Sequence, residues 1–220
     1  MFIRTALRST KPINTTRITS FRLINTTSIR MAADDQYSKK SEDQTPALKD
    51  RVAEVEAIIK KVGTCSLTTV GTDGSLHSRA MRPASTDKLQ PVFIYDNSSH
   101  KDEEVKKDSH VNVSFLEPTK GDWISIAGKA NTTTDRETVK KYFNPATKAW
   151  FGDLGDGVHD GTANDPRVTV LIVKPAEIRY FAQKDSMIGQ AVEVATSALT
   201  GKVATPGAIR TITGEEAATL

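Results

Sequence analysis

Between residues 64 and 131 the chain consists of short β-rich runs separated by strong turn signals, and this spacing constrains its fold more than any other feature. Residues 64–70 are rich in Thr and Val, Gly71-Thr72-Asp73-Gly74 is a turn, and residues 76–82 return as a hairpin partner. Residues 92–95, 111–116 and 123–131 continue the series, with a turn over residues 117–122. Runs this short bury little by themselves and need neighbours on both edges. A small antiparallel barrel satisfies that need, and the helical segments that flank and follow it make the class mainly β, α+β overall.

The helical segments are equally legible. Leu48, Val52, Val55, Ile58, Ile59 and Val62 fall on one face of a helix over residues 47–62, and Gly63 is placed to stop it. Residues 134–143 read as a helix capped by Thr134 or Asp135, Asn144-Pro145 interrupts it, and residues 146–151 resume it. A Gly- and Asp-rich loop over residues 152–167 has a length that usually carries a task. Residues 168–173 and 178–181 are the last expected strands, broken at Pro175; residues 186–199 form an amphipathic helix, and residues 201–220 read as a loose tail.

Charge is unevenly distributed. Residues 1–30 hold six of the 30 basic residues and none of the 27 acids, leaving 24 basic against 27 acidic residues in the rest. The leader, rich in Arg, Ser and Thr, has the composition of a mitochondrial transit peptide, which implies a matrix location; a disordered basic arm is the plainer reading of the same residues. Met31 looks like a second start, which would give a cytosolic form, and residues 31–46 read as a polar linker with little to bury. The mildly acidic remainder argues against nucleic-acid binding, and no apolar run reaches membrane-spanning length. Cys65 is the single cysteine, so neither an intrachain disulfide nor a thiolate metal cluster can form within one chain. The organisation expected is therefore a leader (1–30), a linker (31–46), a barrel domain (47–182) and a C-terminal helix and tail (183–220).

The chemistry-bearing stretch runs from Ser78 to Lys101. If the strands on either side of the intervening turn pair, Arg79 and Lys101 converge on one anion, with Ser98 and Ser99 adding hydroxyl and backbone donors. Arginine supplies a planar fork for phosphate oxygens and lysine a point charge. Ordinary solvated strand-end charges are the bland account of the same spacing. Asp153, Asp156, His159, Asp160 and Asp165 lack the alternating ligand spacing of a calcium loop, so turn chemistry is preferred and no metal is expected. Serine-hydrolase, dinucleotide and P-loop signatures are absent.

Ser78-Arg79-x-Met81, the Ser99-x-Lys101 turn, the Trp123–Ala130 run and Lys148-Ala149-Trp150-Phe151 together resemble the pyridoxamine 5'-phosphate oxidase-like split-barrel flavoproteins, in the general stress protein branch. The segment from Asp135 through Gly161 to Asp165-Pro166-Arg167 is similar to the fungal blue-light-inducible proteins. The resemblance covers roughly residues 47–181. It implies a six-stranded, FMN-binding split β-barrel with peripheral helices, paired as a homodimer with FMN at the subunit interface. By position it implies that Arg79, Lys101 and Ser99 hold the phosphate, while Ala80, Met81 and Arg82 lie along the isoalloxazine edge through their backbone. Tyr95 and Asp96 would open the phosphate turn, and Trp123 and Trp150 would border the ring or serve as core or interface aromatics.

The implied activity is that of a flavin-dependent oxidoreductase on a small molecule, with NAD(P)H a possible donor. The rivals are a non-catalytic stress protein that buffers or senses flavin, and a member that binds haem instead.

Overall fold

Strict in-out alternation along the central strands builds the barrel, because successive side chains of a strand point to opposite faces. The computed structural model describes residues 36–183, 187–201 and 203–220; the expected leader and the start-like Met31 lie outside the described residues. Helices α1 (Gln36–Ser41) and α2 (Leu48–Val62) precede β1 (Cys65–Val70) and β2 (Leu76–Met81). A 3-10 turn (Asp87–Leu89) leads to β3 (Val92–Asp96), α3 (His100–Lys107), β4 (His110–Leu116) and β5 (Trp123–Thr133). After α4 (Arg136–Tyr142) and 3-10 turns over Pro145–Trp150 come β6 (Val168–Gln183), α5 (Met187–Thr200), β7 (Gly207–Thr213) and α6 (Gly214–Ala218).

All pairings are antiparallel in one seven-stranded sheet of order β2-β1-β4-β5-β6-β3, with β7 also on β6. Ala84 and Ser85, just beyond β2, exchange backbone hydrogen bonds with Val92 of β3 at the opposite end of that order, so the sheet closes on itself. Inward residues such as Leu67, Val113, Phe115, Ile126 and Ile178 fill the interior, and Val55, Ile58 and Ile59 of α2 join the same core. Each such side chain contributes about 1.5–3 kcal/mol on burial. A second, smaller cluster of Val92, Val139, Phe151, Val168 and Val170 packs α4 and the turn after it onto β3 and β6.

Three expectations are corrected. Pro175 does not break the last strand: β6 runs through it for 16 residues. Its first part pairs with β3 up to Ile172 and its second with β7 from Glu177, so on that edge Pro175 falls between two partners and its missing N–H interrupts neither ladder. On the other edge β5 absorbs the irregularity with a register shift at Ala127/Gly128. A Cβ on Gly128 would stand 2.3 Å from the Lys174 carbonyl oxygen.

The C-terminal stretch is not a loose tail either. Residues 207–213 form β7, placing Ile212 in the main core, and Thr213 with Glu216 closes a capping box on α6. The expected linker also folds against this strand. Buried Ser41 ends α1, Glu42 bridges to Ile209, and Asp43 pairs with Arg210 at 2.8 Å. Arg210 also reaches Glu54 of α2 at 3.1 Å, and Glu54 accepts a 2.6 Å bond from the Tyr180 hydroxyl. These contacts join segments that sequence spacing gives no reason to pair. Among the described residues no helix is long and apolar enough to cross a membrane.

Candidate anion site at the barrel mouth

The register decides which side chains of β2 can act together. Arg79 pairs with Leu67 and His77 with Thr69, so both share the inward face, while Ser78 and Ala80 face outward with Ser66 and Ser114. Met81, opposite Cys65, packs against the core, and Arg82 is exposed with no ion pair among the described residues.

α3 crosses the mouth above Arg79 and delivers Glu104, a carboxylate only 4% exposed. Arg79 Nη2 donates to Glu104 Oε2 at 2.9 Å, and Arg79 Nη1 donates to the Thr69 hydroxyl and the Leu67 carbonyl. His77 Nδ1 lies 2.6 Å from Glu104 Oε1, and the Thr69 hydroxyl donates to Oε2. Burial alone would raise the Glu104 pKa; the bonds from Thr69, His77 and Arg79 outweigh it and hold the group at about 2. Since the folded value lies below the ordinary 4.5, this carboxylate contributes stability that is complete above that pH and is lost as pH falls towards 2. Urea midpoints of wild type and Glu104→Gln should therefore differ clearly at about pH 7, and the gap should narrow steadily below about pH 4.5 towards pH 2. A gap independent of pH would contradict the assignment.

Lys101 stands at the start of α3 beside the same arginine. Its Nζ donates to Ser99 Oγ at 2.7 Å and lies 5.2 Å from the Tyr95 ring centroid. Among the described residues it makes no ion pair, and its pKa is lowered by burial and then by the adjacent Arg79 charge. The charges of Lys101 and Arg79 thus act on one another.

Ser99 and Asp96 shape that turn: the Ser99 hydroxyl donates to the Asp96 carbonyl, and the Asp96 carboxylate accepts from the Ser98 N–H and hydroxyl. Tyr95 is a buried core residue whose hydroxyl donates to Asp102 at 2.6 Å, so it supports the turn from below. An open cleft of about 440 Å³ is lined by Thr72, His77, Arg79, His100, Glu103 and Glu104. A second, of about 450 Å³, opens on the outer face past Ser66, Ser78, Ala80, Ser114 and Leu116.

Of the two tryptophans, Trp123 is half-buried opposite Leu116, whereas Trp150 is 87% exposed and far from a core role. The Asp-rich loop is held by its own side chains. Asp156 accepts from the Val158 and His159 N–H groups, and buried Asp165 accepts from the Gly161 N–H and from Arg167 at 2.6 Å. Glu104 and Thr69 escaped the sequence reading. Glu104 sits three residues after Lys101, one helical turn on, and that spacing was the available signal.

A family model described as pyridoxamine 5'-phosphate oxidase like matches residues 50–205, which contain every strand but β7 and the whole cation pair. The chain belongs to this family. Within the pyridoxamine 5'-phosphate oxidase-like family it is similar to Protein bli-3 of Neurospora crassa, at 38% identity over 185 residues, 83% of this chain and 88% of that protein. Its fold is that of a Clostridium acetobutylicum protein related to general stress protein 26 of B. subtilis (TM-score 0.52, 18% identity, 61% of this chain and 89% of that one). A heme binding protein from Mycobacterium smegmatis shares the fold as well (TM-score 0.50, 14% identity, 79% of this chain and 61% of that one). The split barrel with peripheral helices is thus the architecture of the family, with β7 making the sheet seven-stranded here.

Proposed function

We propose that this chain is a stress-type flavoprotein that binds FMN through Arg79 and Lys101 and acts, as a homodimer, as an oxidoreductase on a small molecule. The observation that carries the reading is the cation pair: the Arg79 charge acts on Lys101, whose Nζ is held by Ser99 Oγ, and Lys101 makes no salt bridge among the described residues. A dianionic phosphate is the natural third charge; the Ser98 and Ser99 N–H and hydroxyl donors are engaged by Asp96 in this structure, so the two cations carry the site. The donor set fits the phosphate end of FMN, and the adjoining clefts fall within the roughly 300–1,000 Å³ of ordinary ligand sites.

The chemistry supplied by bound FMN is two-electron redox exchange, for which a reduced nicotinamide is the proposed donor. The chain's own part is to fix the phosphate and to present the backbone of Ala80, Met81 and Arg82 along the ring. The outer face of β2 and β4 leaves Leu76 71% and Leu116 62% exposed, which favours a second copy covering that side of the cleft.

Purified protein titrated with FMN and with riboflavin should bind FMN at least about tenfold more tightly, the value of one charge-assisted contact. Light scattering should give about twice the chain mass, and anaerobic NADH or NADPH should bleach the oxidised flavin band. Equal affinity for the two flavins would remove the phosphate site from the proposal. A flavin that dithionite reduces and nicotinamides do not would favour buffering or sensing. Haem, named for the Mycobacterium smegmatis protein, would announce itself by a Soret band.

A further inference from the structure

Arg79 cannot serve a ligand with the whole of its guanidinium, because part of it is already committed. Nη1 spends its hydrogens on the Thr69 hydroxyl and the Leu67 carbonyl, and Nη2 spends one on Glu104 Oε2. Thr69 Oγ1 is itself bonded to that same Oε2, so both acceptors lie at the Nη1–Nη2 end of the plane. The remaining Nη2 hydrogen and the Nε hydrogen form the parallel side fork, and neither has a partner among the described residues. A fork of this kind matches two phosphate oxygens.

Glu104 is suited to hold the other end. It is buried, so its charge is weakly screened, and its second oxygen is fixed by His77 Nδ1, whose Nε2 is in turn held by Ser75 Oγ at 2.9 Å. The chain β2–α3–β1 thereby fixes one rotamer of a long side chain that is still about a quarter exposed.

We infer that Glu104 is the positioning residue of the phosphate site, gripping Arg79 by its end so that the Nε–Nη2 fork is presented to the ligand. This rests on the FMN reading given above. Glu104 touches no ligand in this arrangement; it acts through Arg79, converting a flexible cation into a pre-oriented one. Removing its charge frees the guanidinium, so a smaller fraction of its poses presents the Nε–Nη2 fork to the ligand.

The test compares Kd values for FMN and riboflavin in wild type and Glu104→Gln. The expected result is a five- to tenfold weakening for FMN, about one charge-assisted contact's worth of orientation, with riboflavin unchanged. A merely structural role would weaken both flavins alike, and that result overturns the inference. So does a variant that prefers FMN as strongly as wild type does. Wild type with no preference at all overturns the phosphate reading itself, a distinct outcome. Should Glu104→Gln fail to fold, Thr69→Val decides, since it removes one bond to the same guanidinium while leaving the carboxylate. It should weaken FMN a few-fold and spare riboflavin, and an unchanged FMN affinity would sink the idea.

Discussion

Arg79→Ala and Lys101→Ala should each lower FMN affinity about ten- to a hundredfold, because each deletes a hydrogen bond to a charged group contributing about 1.5–3 kcal/mol. The two losses will not be equal. Arg79→Ala also strands Glu104, a buried carboxylate that keeps only Thr69 and His77, so part of its effect will appear as lost stability. Lys101→Ala removes a cation that makes no salt bridge among the described residues; relief of its repulsion with Arg79 partly offsets the missing contact, while Asp96, Glu104 and Asp102 lose its longer-range attraction. Fluorescence titration of both variants with FMN and riboflavin, alongside their melting temperatures, separates these contributions. Lys101→Ala should lose FMN affinity with little change in melting temperature. Wild-type FMN affinity in both variants would remove the cation pair from the site.

Gly128→Val should destabilise the barrel wall strongly. The added Cβ would meet backbone, the Lys174 carbonyl oxygen at 2.3 Å and its carbon at 3.0 Å, so no flexible neighbour can swing away. Overpacking at such a point costs about 3 kcal/mol, and for a chain of this size about 2–4 °C of melting temperature follows per kcal/mol. A fall of roughly 6–12 °C is therefore expected by differential scanning calorimetry. Ala127→Val, one residue earlier on the exposed face, is the control and should move the midpoint little. If the two variants melt together, the close crossing of β5 and β6 does not constrain the barrel.

Local pattern announced most of the fold. α2 begins and ends within a residue of the expected bounds because six apolar residues at helical spacing and Gly63, at φ 71°, specify it without tertiary help. The central strands are as plain, their alternation being the same in any neighbourhood. β7 was missed because Gly207–Thr213 is a short edge run whose value depends on β6 being long enough to receive it. The continuity of β6 was hidden for the same reason: Pro175 is tolerable only where two partners change over, and no local rule knows where that is.

The site divides similarly. Arg79 and Lys101 stand out by residue type, but the strands on either side of the turn do not pair as expected: β2 pairs with β1 and β3 with β6, and only the Ser85–Val92 bridge that closes the sheet links them. Glu104 looks like any acid on a charged helix face. Only its position over Thr69 makes it the counter-charge of the site.

The order of the strands in the chain has a consequence for how the molecule is made. Arg210 binds Asp43 and Glu54, so residues synthesised 167 and 156 positions apart must meet. Ile212, a buried member of the main core, follows β1 to β6 in chain order. A nascent chain that lacks residues 207–213 has β1 to β6 in hand but a bare flank along half of β6, and Glu42 and Asp43 lose the strand they bind. β7 is thus the latch of the barrel, and closure waits until that strand has been made.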